Sequence, residues 1–263
     1  MDPLPDDVRR YLAGLVSEDG SRVDRRIVAD PSVYAVEMEA IFRRCWLYVG
    51  HESEIPEPGD FVASHLGPQP VLVSRGPARE LNVFLNTCSH RAARVCRLDA
   101  GNATTFACPN HGWTYGIDGA LLDVPHRADG YGEALDRSSM GLARAGQVTS
   151  FHGLIFATMD PGAPSLLSYL GDTAFYLDTV FGRTPGGTEL IGGVHRWTVA
   201  CNWKLPPENQ APDLYHAESA HASIYEATGA DVTMYMADLI QVIGSTCHTL
   251  CVRRLPSTHP TED

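Results

Sequence analysis

The chain has 263 residues, enough for one large or two ordinary domains, with the 44% apolar and 20% charged content of a globular protein. Its 32 acidic against 20 basic residues give a formal net charge of -12. That balance argues against nucleic acid or an anionic membrane as the main partner, and leaves a small apolar substrate or a basic protein open. No apolar run approaches membrane-spanning length, and the stretch from Met1 to Asp7 is acidic where a secretory signal would be basic, so a cytoplasmic protein is expected. Cysteines at 45, 88, 96, 108, 201, 247 and 251 form an odd, uneven set, which suits metal ligation and buried thiols better than a disulfide framework.

In chain order, Val8, Tyr11, Leu12, Leu15 and Val16 at helical spacing predict a short helix over 5–16, and Asp30-Pro31 opens a second that runs to about Arg44. From 46 to about 159 the texture changes to β-rich runs at 46–49, 61–64, 71–74, 81–85, 104–107 and 153–158. Gly59-Asp60, Gly67-Pro68 and Asp118-Gly119 punctuate them as turns. Pro161 to Pro164 marks a boundary. A helix over 166–181, a strand pair around 189–200, a helix from Pro206-Pro207 through Glu226 to Gly229, and a strand at 239–243 follow.

Two ligand pairs stand out. Cys88-Ser89-His90-Arg91 and Cys108-Pro109-Asn110-His111-Gly112-Trp113 offer C-x-H and C-x-x-H with 17 residues between His90 and Cys108. Each follows a predicted strand, where hairpin tips bring the pairs together. Two thiolates and two imidazoles suit either a tetrahedral zinc or a [2Fe-2S] cluster. Cys96 reads as a buried structural thiol, and Cys247, His248 and Cys251, lacking a fourth donor, as incidental. Arg127, Asp129 and Asp136 around Tyr131 read as a solvated loop, and His51, His65, His126, His152 and His195 have no partner at ligand spacing.

The residues around both pairs, with Trp46-Leu47-Tyr48-Val49-Gly50-His51 and Ile55-Pro56-Glu57-Pro58-Gly59-Asp60 upstream, resemble the Rieske domain of ring-hydroxylating oxygenase large subunits. The resemblance covers roughly 30–221. It implies an α+β chain: N-terminal helices over 1–44 that pack on the catalytic domain, an all-β Rieske [2Fe-2S] domain over 45–160, and over 161–263 the first part of a helix-grip (START-like) catalytic domain. On it, Cys88 and Cys108 hold one iron and His90 and His111 the other. The family has glycine after the arginine where this chain has Ala92.

The helix after Pro207 carries Asn209, Asp213, His216 and His221. Asn209, Asp213 and His216 share one helical stripe, but five residues from His216 place His221 about 140° away, so both histidines reach one ion only if the helix bulges or bends. The spacing D-x-x-H-x-x-x-x-H is similar to the mononuclear iron motif of the same family, as are Asn202-Trp203-Lys204 and Glu208-Asn209. The resemblance implies His216 and His221 as Fe(II) ligands. It makes Asp213 the residue that orients His216 and reaches a neighbouring protomer's His111, and places Asn209 beside the iron.

The implied activity is that of the oxygenase component of a multicomponent system. Electrons from NAD(P)H arrive through a reductase or ferredoxin at the cluster, and Fe(II) activates O2 to hydroxylate an aromatic or similarly apolar substrate. A homotrimer or an alpha/beta hetero-oligomer goes with it, without nucleic acid or membrane. The family's third iron ligand is a late aspartate. The carboxylates after His221, namely Glu226, Asp231, Asp238, Glu262 and Asp263, have no matching context, and residues from Ile240 to Asp263 do not resemble the family's continuation. The alternative is therefore a truncated, catalytically silent Rieske electron-transfer protein.

Overall fold

A computed structural model describes residues 4–132, 135–210, 213, 216–229, 239–243 and 248–253. Its contacts fall into two units, one of Tyr34–Leu166 with Asp178–His195, the other of Leu4–Val33, Leu167–Leu177 and the residues from Arg196 onward.

The chain opens with three short helices, α1 (Asp6–Ala13), α2 (Arg26–Ala29) and α3 (Pro31–Glu37). The predicted first helix is shorter than expected because it is capped at Gly14. Asp30 caps α3 as its position before proline suggests, accepting from the Ser32 amide at 2.8 Å, and it also accepts the Tyr11 hydroxyl. That hydroxyl, first, and Ser32, next, hold its carboxyl below the usual carboxylate range. The second predicted helix continues only by widening into a π-turn at Met38–Phe42.

Ten strands build the first unit: β1 (Leu47–His51), β2 (Asp60–Leu66), β3 (Gln69–Arg75), β4 (Leu81–Leu85), β5 (Ala100–Asn102), β6 (Thr105–Ala107), β7 (Thr114–Gly116), β8 (Leu121–Asp123), β9 (Gln147–Phe151) and β10 (Leu154–Thr158). They form sheets of order β4-β3-β2-β5, β6-β7-β8 and β1-β10-β9. The six predicted strands are all present. The four missed ones, β5, β7, β8 and β9, are short or lack an alternating apolar pattern, so their pairing rather than their composition defines them. The β2–β3 turn needs Gly67, whose φ is 56° and where a Cβ would lie 2.7 Å from the Phe42 side chain.

In the four-stranded sheet, β2, β3 and β4 are buried on both faces over most of their length, which is why they read as continuous apolar runs, whereas β5 is exposed. Phe61, Ala63, Leu72 and Phe84 point into one core with Phe106, Trp113, Tyr115, Ile117 and Leu121. Their neighbours Val62, Val71, Val73 and Val83 point into a second core with Val49, Ile155 and Ala157. The period of two along a strand makes this division. Only the first core contains Cys88 and Cys108.

After β10 come α4 (Leu166–Leu170) and α5 (Thr173–Phe181). The single helix predicted here is split at Gly171, which takes a left-handed φ of 53°. The expected strand pair at 189–200 is absent. That segment is exposed and irregular, and Gly192 and Gly193, at φ 78° and 87°, interrupt the extended run. The long helix predicted from Pro206 is three pieces, α6 (Leu205–Gln210), α7 (His216–Ala220) and α8 (Ala222–Thr228). The predicted strand at 239–243 is β11 (Leu239–Ile243), paired antiparallel with β12 (Thr249–Arg253). Among the described residues no helix is long and apolar enough to cross a membrane.

Candidate metal centres

The C-x-H pair lies in the loop after β4 and the C-x-x-H pair in the β6–β7 hairpin. The two loops close with the same backbone bonds. The Cys88 amide donates to the Ala93 carbonyl at 2.8 Å and the Ala92 amide to the Cys88 carbonyl at 2.9 Å. The Cys108 amide donates to Trp113 at 2.8 Å and the Gly112 amide to Cys108 at 2.9 Å. Each loop needs a left-handed residue four positions after its cysteine, and Gly112 (φ 68°) and Ala92 (φ 58°) supply it. Only glycine takes that conformation without steric cost, about 1 kcal/mol for an L-residue. Ala92→Gly is therefore expected to raise the melting temperature by about 2–4 °C, read by thermal unfolding; a lower value would contradict the strain.

Both cysteines are buried, and the His90 and His111 rings meet edge-on at 4.8 Å between centroids, with 80° between planes. Trp113 lies flat on His90 at 5.0 Å with 7° between planes, and Tyr131 meets Trp113 edge-on. His90 Nδ1 is buried without a hydrogen-bond partner. Burial, first, and then the charges of His111 and Arg91 lower the His90 pKa. That shift favours the neutral ring, the form in which imidazole binds a metal. A buried nitrogen lone pair with no proton donor, beside two buried thiols, is the arrangement that a metal cluster satisfies. Among the described residues no three His, Cys, Asp or Glu converge on one point; a two-iron cluster takes protein donors two at a time.

The residues that sequence reasoning passed over are Asn86 and Tyr115. Asn86, 1% exposed, accepts from the Val95 and Cys96 amides at 3.1 and 2.8 Å and donates to the Cys96 carbonyl at 2.8 Å, fixing the far end of the first loop. The Tyr115 hydroxyl accepts from the Ser89 amide at 3.1 Å and lies 3.1 Å from Cys88 Sγ. Burial, first, then the bond to Cys88 and its charge push the Tyr115 pKa up, so the phenol keeps its proton. Either group can donate across this contact, and toward a metal-bound thiolate the phenol is the one that has a proton to give. Cys96 is buried as expected. Neither polar contact announces itself in the sequence, because both join residues brought together by the sheets.

In the second unit, the break between α7 and α8 falls at His221. It removes the 140° offset of a regular helix: His216 Nε2 and His221 Nε2 lie 3.1 Å apart. Two imidazole nitrogens bound at right angles to one ion, at about 2.1 Å each, are about 3 Å apart. His216 Nδ1 lies 2.5 Å from the Asp213 carbonyl oxygen and 3.6 Å from its carboxylate. The carbonyl thus fixes the ring, leaving Nε2 for a metal, while the carboxylate is too far for a hydrogen bond. The predicted stripe is not realised: α6 ends at Gln210, Asp213 N bonds back to Glu208 O five residues away, and Asn209 is exposed. Among the candidate third donors, Glu226 is exposed on α8, and Asp231, Asp238, Glu262 and Asp263 lie outside the described residues.

Three of the other histidines have local contacts. His51 is buried and caps the turn Glu52–Glu54, and His152 pairs with Asp178 at 2.7 Å. The His248 ring packs edge-on against Tyr169 at 5.0 Å; Cys247 and the Cys251 side chain lie outside the described residues.

Residues 45–148 match the Rieske [2Fe-2S] domain. The chain is 43% identical over 212 residues to the biphenyl dioxygenase subunit alpha of Metapseudomonas furukawaii, covering 78% of this chain and 46% of that one. This chain is homologous to ring-hydroxylating dioxygenase alpha subunits. The benzene 1,2-dioxygenase subunit alpha of Pseudomonas putida is 40% identical over 228 residues, covering 87% and 50%. The crystal structure of naphthalene 1,2-dioxygenase from Rhodococcus sp. bound to indole superposes with a TM-score of 0.88 at 37% identity, over 98% of this chain and 59% of that one. The chain thus spans about half the length of the curated relatives it matches. The matched residues 45–148 hold both ligand loops and strands β1 to β8; β9 runs past their end and β10 follows it.

Proposed function

We propose that the protein is the oxygenase component of a multicomponent ring-hydroxylating system. In this reading Cys88 and Cys108 hold one iron of a [2Fe-2S] cluster, His90 and His111 hold the other, and His216 with His221 holds Fe(II). The observation that carries the reading is the partnerless, buried His90 Nδ1 between two identically closed cysteine loops. When bound, the metals supply one-electron storage and O2 activation. The protein's residues do the rest. The first core keeps water from the cysteine side, and Trp113 fixes the plane of His90. The Asp213 carbonyl holds the His216 tautomer, and its carboxylate remains available to a neighbouring protomer's His111.

Tyr115 tunes the site. A hydrogen bond to a ligand sulfur stabilises the more negative, reduced state, so Tyr115→Phe is expected to lower the reduction potential on the order of 50 mV. Protein-film voltammetry checks this, and an unchanged potential would remove Tyr115 from the site.

NAD(P)H electrons arrive through a ferredoxin or reductase, the substrate is an aromatic or similarly apolar molecule, the assembly is a homotrimer or alpha/beta hetero-oligomer, and the location is cytoplasmic. The likeness to biphenyl, benzene and naphthalene dioxygenases supports the aromatic substrate class, and the alpha-subunit names of the first two support a multi-subunit assembly. The test is metal and sulfide analysis with EPR of the reduced protein, followed by turnover with ferredoxin, reductase and an aromatic substrate. A Rieske-type signal with mononuclear iron and product supports it. Zinc in a colourless protein overturns it, and a Rieske signal with neither mononuclear iron nor product assigns the chain to electron transfer alone.

A further inference from the structure

We propose that the loop 91–98 and the groove beside it are the port where an acidic iron-sulfur electron donor docks, an inference that rests on the cluster assignment above. Arg91, Arg94 and Arg97 recur at every third position on the loop that carries Cys88 and His90, and all three are exposed. No acidic residue interrupts 89–98, and Asp99 closes the stretch. Among the described residues no carboxylate pairs with any of these arginines; Arg94 Nε donates instead to the Cys96 carbonyl at 3.1 Å. On a chain of net charge -12 this is a local positive patch in a negative field, which orients an approaching acidic protein toward the cluster loop.

Beside Arg97 lies a groove of about 270 Å³ whose lining includes Phe61, Val95, Cys96, Leu98 and Phe106. Leu98 is 63% exposed at its edge. An apolar centre with a charged rim is the anatomy of a small, transient redox interface. The groove's floor has a second property. Phe61, Val95, Cys96 and Phe106 belong to the same packed core as Cys88 and Cys108. Asn86, two residues before Cys88, bonds both the amide and the carbonyl of Cys96 at 2.8 Å. Cys96 and Asn86 thus connect a donor seated here to the Cys88 loop; the single electron lost by the donor's iron would be taken up by the cluster that Cys88, His90, Cys108 and His111 would hold.

The test uses the full chain and a reduced, acidic plant-type [2Fe-2S] ferredoxin as probe, with association followed by stopped flow across a salt series. Wild-type association is expected to slow steeply with salt. Arg91→Gln with Arg97→Gln is expected to slow it about tenfold at low ionic strength and to flatten the salt dependence. Leu98→Ser is expected to weaken binding with the salt slope unchanged. Arg94 is left in place because it braces Cys96. Unchanged rates and slope in the double variant overturn the port. So does a change of oligomeric state by light scattering with ferredoxin binding intact, which assigns the strip to contacts between copies. A Rieske-type EPR signal in every variant separates failure of the port from failure of the cluster assignment.

Discussion

Cys108→Ala is expected to abolish the cluster: iron and sulfide at this site fall from about two each to background, and the visible colour and reduced-state EPR signal vanish. The loop itself offers no alternative donor. Its closing bonds run through the Cys108 amide and carbonyl, which alanine keeps, so the backbone turn survives while the sulfur is lost. Cys96→Ala is the matched control, since Cys96 is also buried in the same core and its Sγ approaches only the Leu98 carbonyl, at 3.8 Å. It is expected to keep the full signal. Retention of colour and signal in Cys108→Ala, or equal loss in Cys96→Ala, would sink the ligand assignment. Because a cluster binds the folded state alone, the Cys108 variant is also expected to unfold at a lower temperature than the loaded wild type.

His216→Ala is expected to remove the mononuclear iron and to cut hydroxylation at least about 100-fold, while the Rieske signal stays at full intensity. The separation follows from placement: His216 and His221 lie on the broken helix of the second unit, and both ligand loops lie in the first. Asp213→Asn gives a finer reading. The carbonyl holds His216 at 2.5 Å and the carboxylate stands off at 3.6 Å. The amide variant is therefore expected to bind Fe(II) with less than the roughly tenfold loss typical of a missing orienting partner. It is expected to slow oxidation of the cluster by the iron site in single-turnover mixing. Full activity in His216→Ala, or iron loss in Asp213→Asn as deep as in His216→Ala, would contradict these roles.

Strands β3 and β4 were legible because both their faces are buried: Val71-Leu72-Val73 and Val83-Phe84 leave no other place for their side chains. Strands β5, β7 and β8 were not, since three residues carry too little pattern and their partners lie across a turn or a sheet. The strand pair at 189–200 failed for a complementary reason: its β-branched residues favour extension, but Gly192 and Gly193 at positive φ break the run.

At the candidate centres the sequence by itself determined the donor types and their short spacings, because C-x-H and C-x-x-H are local and a loop of that length has few ways to turn. It also required a bend between His216 and His221, since the 3.6-residue period forbids their meeting on a straight helix. Only the tertiary structure decided where that bend falls, at His221, and that the Asp213 carbonyl rather than its carboxylate holds the ring. Tertiary packing alone buried His90 Nδ1 without a partner and brought Tyr115 to Cys88 across 27 positions of sequence. The physical reason is that spacing fixes what a single loop can offer, whereas burial and the contacts between loops depend on which sheet faces close over them.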